Sequence, residues 1–142
     1  MNKIENSIFK RLVGVWDTAG NIKSGQDEMK LIGIDSYELI LDGNYILHKA
    51  DVKMGSDRSE TFELLKLDNS LDKAKMQYFN SKGDDGIMIS SIINNEFKIN
   101  GEGLKFIGVI NEENTKINGT WYLQMENEEW IDFIDLNLVK KN

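Results

Sequence analysis

Apolar and polar residues alternate on both sides of Asp42-Gly43, which predicts a β-hairpin. Asp-Gly favours a two-residue type I′ turn, because both central residues of that turn need positive φ. With this turn, residues whose numbers sum to 85, as 42 and 43 do, face each other across the strands. One face of the hairpin is then mainly apolar and the other carries the lysines, as expected where one side of a sheet is buried.

Three polar side chains lie on the predicted buried face: Asp35, Tyr37 and His48. The pairing sets Tyr37 directly opposite His48, where Cβ atoms approach to about 4.5–5.5 Å. Asp35 lies two residues further along the same face. Burial alone lowers the pKa of an imidazole, whereas a nearby carboxylate raises it. We expect burial to prevail, so that His48 is mostly neutral at pH 7 and hydrogen-bonded to a tyrosine hydroxyl or to a ligand.

Ten short segments with strand-like patterns follow Gly14, and turn-forming residues such as Ser24-Gly25 and Asn100-Gly101 separate them. The segments are 15–23, 29–41, 44–54, 60–67, 73–80, 86–93, 95–100, 103–111, 115–125 and 129–139. Connections this short leave no room for crossover helices, and a long antiparallel meander loses its exposed edges by closing on itself. We therefore predict an all-β, single-domain protein over residues 1–142, folded as an up-and-down antiparallel β-barrel of about ten strands.

One short helix is predicted over Asn6–Val13, ended by Gly14. Its apolar face, at helical spacing, consists of Ile4, Ile8, Phe9 and Leu12. A helix of this length is not stable alone, so it must pack on other parts of the protein. We expect it to cap one end of the barrel.

The later segments differ in how clearly they show an inward face. Met76 and Tyr78 alternate with polar residues and are predicted to point inward, as is Trp121. In the last segment the face depends on the preceding turn, because one extra residue reverses every side chain. A two-residue turn would direct inward Trp130, Asp132, Ile134 and Leu136, and a three-residue loop would direct them outward. Segment 60–67 shows no preferred face.

Composition narrows the possible functions. The chain has 24 acidic and 17 basic residues and a net charge of −7, and without a basic cluster neither nucleic acid nor an anionic membrane is an expected partner. Cysteine is absent, which excludes disulfides, thiolate catalysis and cysteine-ligated metals. With a single histidine, a metal site would need mostly oxygen ligands, and no calcium-loop spacing occurs. No apolar run follows Met1, so we expect a cytoplasmic protein without a signal peptide.

Two short motifs carry a resemblance to a known family. Gly14-Val15-Trp16 follows the predicted helix and opens the first strand, and Gly119-Thr120-Trp121 comes late in the chain. The first motif resembles the Gly-x-Trp signature of lipocalins and related calycins, and the whole pattern is similar to bacterial lipocalin-like proteins of unknown function. The resemblance implies that Trp16 closes the floor of the barrel. Lipocalins usually pack a late arginine over that tryptophan, whereas this chain offers Lys140 and Lys141 in its C-terminal strand.

A barrel with polar groups inside suggests a binding pocket, because ligand cavities combine apolar walls with a few placed polar groups. We expect non-catalytic binding of a small, mainly apolar molecule, with no cofactor and no metal, by a monomer or a homodimer. The candidate site residues are Asp35, Tyr37, His48, Met54, Met76, Tyr78, Phe106, Trp121, Trp130 and Asp132. Leu104 and Leu123 are expected in the walls of the same pocket.

Three alternatives stand beside this hypothesis. An enzyme would use Asp35, Tyr37 and His48 as general acids or bases, although the chain has no Gly-x-Ser-x-Gly motif. A haem would use His48 as an axial ligand. A barrel with a solid core would act through its outer surface, for example as a dimer through exposed residues such as Tyr45 and Tyr122. An internal cavity would favour binding or catalysis over this last alternative.

Overall fold

The computed structural model describes residues 2–24 and 27–141. It contains two short 3₁₀ helices, Ile4–Asn6 and Ile8–Leu12, and ten β-strands. The strands are β1 (Gly14–Ser24), β2 (Asp27–Ile40), β3 (Tyr45–Met54), β4 (Asp57–Leu67), β5 (Lys73–Asn80), β6 (Asp85–Ile93), β7 (Glu96–Gly101), β8 (Leu104–Ile110), β9 (Lys116–Gln124) and β10 (Trp130–Lys140). The turn predicted at Ser24-Gly25 includes Gly25, which lies outside the described residues.

The ten strands form a closed antiparallel barrel in which each strand pairs with its neighbours along the chain. The first and last strands complete the ring, with pairs that extend from Trp16↔Lys140 to Ile22↔Ile134. Closure removes the two edges that an open sheet would expose. The predicted all-β, up-and-down barrel is confirmed. No helix in the described part of the chain is long and apolar enough to span a membrane.

The hairpin of β2 and β3 has the predicted register, and its turn is one residue longer on each side than predicted. All its pairs, from Leu31↔Met54 to Ile40↔Tyr45, have numbers that sum to 85. The connection is a four-residue turn, however, in which Gly43 N donates to the carbonyl of Ile40 at 3.1 Å and Asn44 N to that of Leu41 at 3.2 Å. Asp42 and Gly43 are the central residues of the turn that Asn44 N closes, and both have positive φ (+59° and +74°), as predicted. Leu41 also has positive φ, so regular pairing ends at Ile40↔Tyr45, one residue earlier on each strand than expected, with the register and both faces unchanged.

The N-terminal segment caps one end of the barrel, but not as the predicted α-helix over Asn6–Val13. Ser7 has extended dihedrals (φ −113°, ψ 174°) and separates two 3₁₀ helices. Its side chain accepts a hydrogen bond from Phe9 N at 3.2 Å, which is the local competition that makes serine a poor residue for a helix interior. The predicted apolar face still packs inward, because Ile4, Phe9 and Leu12 are fully buried.

Trp16 lies at the capped end, completely buried. Its indole Nε1 donates to the carbonyl of Leu12 at 2.8 Å, which links the cap to β1. Lys140 Nζ lies 4.8 Å from the centre of the Trp16 ring, within the range of a cation–π contact. Burial lowers the pKa of Lys140. Lys140 thus takes the place of the late arginine that the lipocalin resemblance implies.

Arg11 ties the cap to two turns at the same end of the barrel. Its Nε donates to Asn114 Oδ1 at 2.6 Å, and its two terminal nitrogens donate to Asn95 Oδ1 at 3.1 Å and to the carbonyls of Asn94 and Asn111 at 3.1 and 3.0 Å. A planar guanidinium presents several fixed donors, so one side chain can hold both turns.

A β-bulge determines which side chains of β10 face inward. Its pairing with β9 shifts between Asp132 and Ile134, so the strand changes face there. Neither of the two predicted alternatives holds for the whole strand: Ile134 and Leu136 line the large cavity, whereas Trp130 and Asp132 face outward and do not belong to the site for which they were candidates. On the outer surface the Trp130 ring lies 4.1 Å from Lys105 Nζ, and Asp132 forms an ion pair with Lys23.

The two halves of the barrel are filled differently. Fully buried side chains pack the half next to the cap, among them Ile46, Leu65, Met76, Ile92, Ile110 and Ile117. In the other half, inward positions carry smaller side chains such as Ala50, Val52 and Thr61. The barrel therefore has a packed closed end and an open end.

The turn between β2 and β3 yields a test of backbone strain. Leu41 has φ of +50° and is 65% exposed. Left-handed backbone costs most L-residues about 1–2 kcal/mol and is more readily adopted by asparagine. We expect Leu41→Asn to raise the free energy of unfolding, measured in urea, by about 0.5–1 kcal/mol.

Leu71→Asn is the matched control, because Leu71 is 51% exposed and is not among the residues with positive φ. It should change stability by less than about 0.5 kcal/mol, as expected of surface substitutions. Equal effects of the two substitutions would contradict the strain assigned to Leu41.

Candidate functional site

A row of polar side chains crosses four neighbouring strands inside the barrel. Strand pairing places Tyr37 of β2 opposite His48 of β3, His48 opposite Glu63 of β4, and Glu63 opposite Tyr78 of β5. Asp35 lies on the same inward face as Tyr37, two residues away. The predicted contact between Tyr37 and His48 is present as parallel stacking, with ring centres 4.0 Å apart and planes 3° apart.

His48 is held between two carboxylates. Its Nε2 lies 2.6 Å from Asp35 Oδ1, and its Nδ1 forms a short hydrogen bond with Glu63 Oε1. Thr18 donates its hydroxyl proton to the other oxygen of Asp35. Thr18, Asp35, His48 and Glu63 are all buried, so the hydrogen bonds are formed away from bulk water and offset part of the cost of burying charge.

The two carboxylates determine the charge of the imidazole. Burial disfavours the imidazolium, but hydrogen bonds and attraction to Glu63 and Asp35 outweigh it and raise the pKa of His48 to about 10. The expectation that His48 is mostly neutral at pH 7 is therefore wrong. Burial and the same carboxylates raise the pKa of the Tyr37 hydroxyl well above its usual value, so this group stays protonated. One imidazolium between two carboxylates leaves a net charge of −1.

A cavity of about 580 Å³ occupies the open half of the barrel, and Asp35, His48 and Glu63 contribute to its lining. The rest of its wall is mainly apolar and includes Leu31, Val52, Met88, Leu104, Trp121 and Leu136. Asn80, Asp84 and Asp85 line it near the turn between β5 and β6, at the end opposite the cap. The size and the mixture of apolar wall and few polar groups are typical of a small-molecule site.

A second cavity of about 70 Å³ extends toward the packed end. It is lined by Tyr37 and by apolar residues such as Phe97 and Phe106. Asp35, His48, Glu63, Trp121 and Leu136 line both cavities. The polar cluster therefore lies between the large cavity and the small one.

Glycines make room for the aromatic rings of the site. A Cβ on Gly119 would lie 2.4 Å from Phe106 Cζ, and one on Gly86 would lie 2.7 Å from the Tyr78 hydroxyl oxygen. Both distances are far below van der Waals contact, so any side chain at these positions would displace the ring. Gly119, part of the second Gly-x-Trp motif, thus serves to seat Phe106 beside Trp121, with ring centres 5.3 Å apart.

The structure brings six of the ten predicted site residues to the cavities. The large cavity is lined by Asp35, His48, Tyr78 and Trp121, and the small cavity by Asp35, Tyr37, His48, Phe106 and Trp121. Met76 is fully buried in the core, and Met54, at the open-end turn of β3, lines neither cavity. Trp130 and Asp132 lie outside the barrel, as described above. Of the two expected wall residues, Leu104 lines the large cavity and Leu123 does not.

Sequence reasoning missed Thr18 and Glu63. A signal for Glu63 was present in Gly55-Ser56, which is the two-residue turn between β3 and β4, since Met54 pairs with Asp57. Gly55 has φ of +64°, as the first central residue of a type II′ turn requires. Numbers that sum to 111, as 55 and 56 do, then place Glu63 opposite His48.

Comparisons with known proteins show the fold. No protein-family model and no curated protein matches the sequence. The crystal structure of Rv2717c from M. tuberculosis is similar with a TM-score of 0.71 and 8% identity, over 94% of this chain and 95% of that one. The S-type phycobiliprotein lyase CPES from Guillardia theta is similar with a TM-score of 0.59 and 7% identity, over 99% and 94% of the two chains. These likenesses agree with the lipocalin-like barrel implied by the Gly-x-Trp motifs.

The charge of His48 can be measured directly, because it is the only histidine in the chain. We expect both ring nitrogens to carry protons at pH 7, with a pKa of about 10. Long-range ¹H–¹⁵N NMR of the imidazole distinguishes the cation from the neutral tautomers. Glu63→Gln should lower this pKa, because it removes one of the two attractive charges. A neutral ring at pH 7 in the unsubstituted protein would contradict the assignment.

The same ion pairs should make stability depend on pH. The pKa of His48 is about 10 in the fold against 6.5 for an ordinary histidine, so the folded state binds this proton more tightly. Its contribution is complete below pH 6.5 and is lost as the pH rises to about 10. We expect the free energy of unfolding in urea to fall across this range. His48→Gln should show a smaller fall, and an equal fall would exclude His48 as its source.

Proposed function

We propose that the protein binds a small, mainly apolar molecule inside the barrel without transforming it. The observation that carries this proposal is the cavity of about 580 Å³, with apolar walls and the cluster of Asp35, His48 and Glu63 at its inner end. Its volume lies in the range of about 300–1,000 Å³ that is typical of ligand pockets. A barrel that acts only through its outer surface would have no need to keep this volume unfilled, since native cores are closely packed.

The geometry of His48 supports binding rather than catalysis. Both ring nitrogens face carboxylates, and the ring is cationic at neutral pH. An imidazolium engaged in this way has no lone pair with which to accept a proton from a substrate. The same engagement leaves no free nitrogen to ligate a haem iron. The polar cluster is therefore suited to orienting a ligand through hydrogen bonds and charge.

The binding site can be tested with the neutral fluorescent probe N-phenyl-1-naphthylamine. We expect saturable binding near one equivalent, with enhanced and blue-shifted emission, because the probe enters an apolar cavity. Ala50 lines the large cavity, so Ala50→Trp should fill part of it and weaken binding at least tenfold (about 1.4 kcal/mol).

Ala19→Trp is the matched control, because Ala19 is exposed on β1. It adds the same side chain on the outer surface and should leave probe binding unchanged. Circular dichroism would establish that both variants keep the barrel. Equal binding by the two variants, or no saturable binding by the unsubstituted protein, would contradict binding inside the barrel.

A further inference from the structure

We infer that the ligand of the large cavity carries a positive charge, as an organic ammonium group on an apolar body. This inference rests on the proposed binding function and specifies the chemistry of its ligand. It depends on three features: the charges that line the cavity, an unpartnered oxygen of Glu63 beside it, and the acidic mouth.

The charges that line the large cavity are predominantly negative. Four carboxylates, those of Asp35, Glu63, Asp84 and Asp85, and one imidazolium, that of His48, contribute to the lining. No lysine or arginine is among the lining residues of this cavity, all from the described part of the chain. The sum is −3 with His48 protonated, so an anionic head group would meet repulsion along the cavity and a cationic one would meet attraction.

The buried cluster of Asp35, His48 and Glu63 has one more negative charge than positive charge. Glu63 is only 5% exposed, and its Oε1 is used by His48. The second oxygen of Glu63 has no hydrogen-bond partner within residues 2–24 and 27–141. In those residues every side-chain oxygen or nitrogen that is fully shielded from solvent does have a partner. That oxygen is therefore not fully shielded, and Glu63 lines both the large and the small cavity.

Tyr37 offers a second oxygen that is nearly buried and has no hydrogen-bond partner in the described residues. It is 5% exposed and lines the small cavity, and its hydroxyl forms no hydrogen bond in the described residues. Its raised pKa keeps it neutral, so it adds no charge to the site. An ammonium group on the cavity side of Glu63 would neutralise the cluster, and an apolar body would then fill the space between Leu31, Met88 and Trp121.

Asp84 and Asp85 favour a cationic ligand at the entrance of the cavity as well. Both are exposed and line the cavity near the open end. Exposed charges are screened by salt, so they contribute less to final affinity than Glu63 and more to the attraction of an approaching cation. Both the mouth and the inner end of the cavity therefore favour the same sign of ligand charge.

The test compares three probes that have the same ten-carbon chain: decylammonium, decanol and decanoate. Each is titrated at pH 7 by calorimetry and by displacement of N-phenyl-1-naphthylamine. We expect decylammonium to bind at least tenfold more tightly than decanol, and decanoate to bind more weakly than decanol. Shifts of the His48 ring signals on adding decylammonium would locate the head group.

Glu63→Gln should reduce the ratio of decylammonium affinity to decanol affinity from at least tenfold to less than about threefold, which is about 0.7 kcal/mol. Glu60→Gln is the matched control, since Glu60 lies on the same strand but is exposed beside Arg58. It makes the same change of charge on the outside and should alter none of the three affinities. If Glu63→Gln does not fold, Asp84→Asn/Asp85→Asn should still lower the preference for decylammonium over decanoate at least threefold.

The outcomes separate the two proposals. Binding of decanoate as tightly as decylammonium would overturn the inference about charge and leave the binding function intact. Equal affinities in the Glu63→Gln and unsubstituted proteins would also overturn it. If neither the neutral probe nor any of the three ten-carbon molecules enters the cavity, the binding function itself is wrong.

Discussion

The buried ion pairs of His48 join three strands of the barrel from the inside. Asp35 belongs to β2, His48 to β3 and Glu63 to β4, so the cluster fixes how these strands lie relative to one another beyond their backbone ladder. Charges in such a place are costly unless each has a partner, and removing one partner of a buried pair typically costs about 3–5 kcal/mol. The imidazolium is therefore the member that the cluster can least afford to lose, because without it two buried carboxylates would stand without a compensating charge.

The cluster also separates two environments within one barrel. Toward the cap, large aliphatic and aromatic side chains fill the interior, and Trp16 is covered by Leu12 and Lys140. Toward the open end, short inward side chains such as Ala50 leave a cavity. Close packing contributes most of the stability of a fold, so the filled half can support an unfilled half that is available for a ligand.

The closed end shows how one architecture can be supported by different side chains. The likenesses to Rv2717c and to the phycobiliprotein lyase exist at 8% and 7% identity, so the barrel depends on strand pattern and turns more than on particular residues. In this chain Lys140 covers Trp16, while Arg11 bridges the turns at Asn94–Asn95 and Asn111–Asn114 from the cap. A lysine over the indole supplies the cation, and the guanidinium is used where several donors are needed.

The sequence by itself determined the strands, the barrel and the contact of Tyr37 with His48. These features follow from alternation of side chains and from turn residues, which act over a few neighbouring positions. The pairing of β2 with β3 and the positive φ of Asp42 and Gly43 were predictable from the turn residues, and the longer loop did not alter the pairing, because a symmetric lengthening of a turn preserves the register. The extended Ser7 that divides the cap depends on a local side-chain hydrogen bond that apolar periodicity does not reveal.

Only the tertiary structure decided the charge and the partners of the site. In β4 the buried Glu63 faces inward while Phe62 on the outer face is half exposed, so hydrophobicity alone could not indicate the inward face. The charge of His48 depends on this carboxylate from a neighbouring strand, because attraction to Glu63 and Asp35 together outweighs the burial that lowers the pKa of the imidazole. Likewise, the bulge before Ile134 reversed the face of Trp130 and Asp132. The turn at Gly55-Ser56 sets Glu63 opposite His48, but the burial of the ion pairs and the position of the bulge in β10 are decided only by the folded barrel.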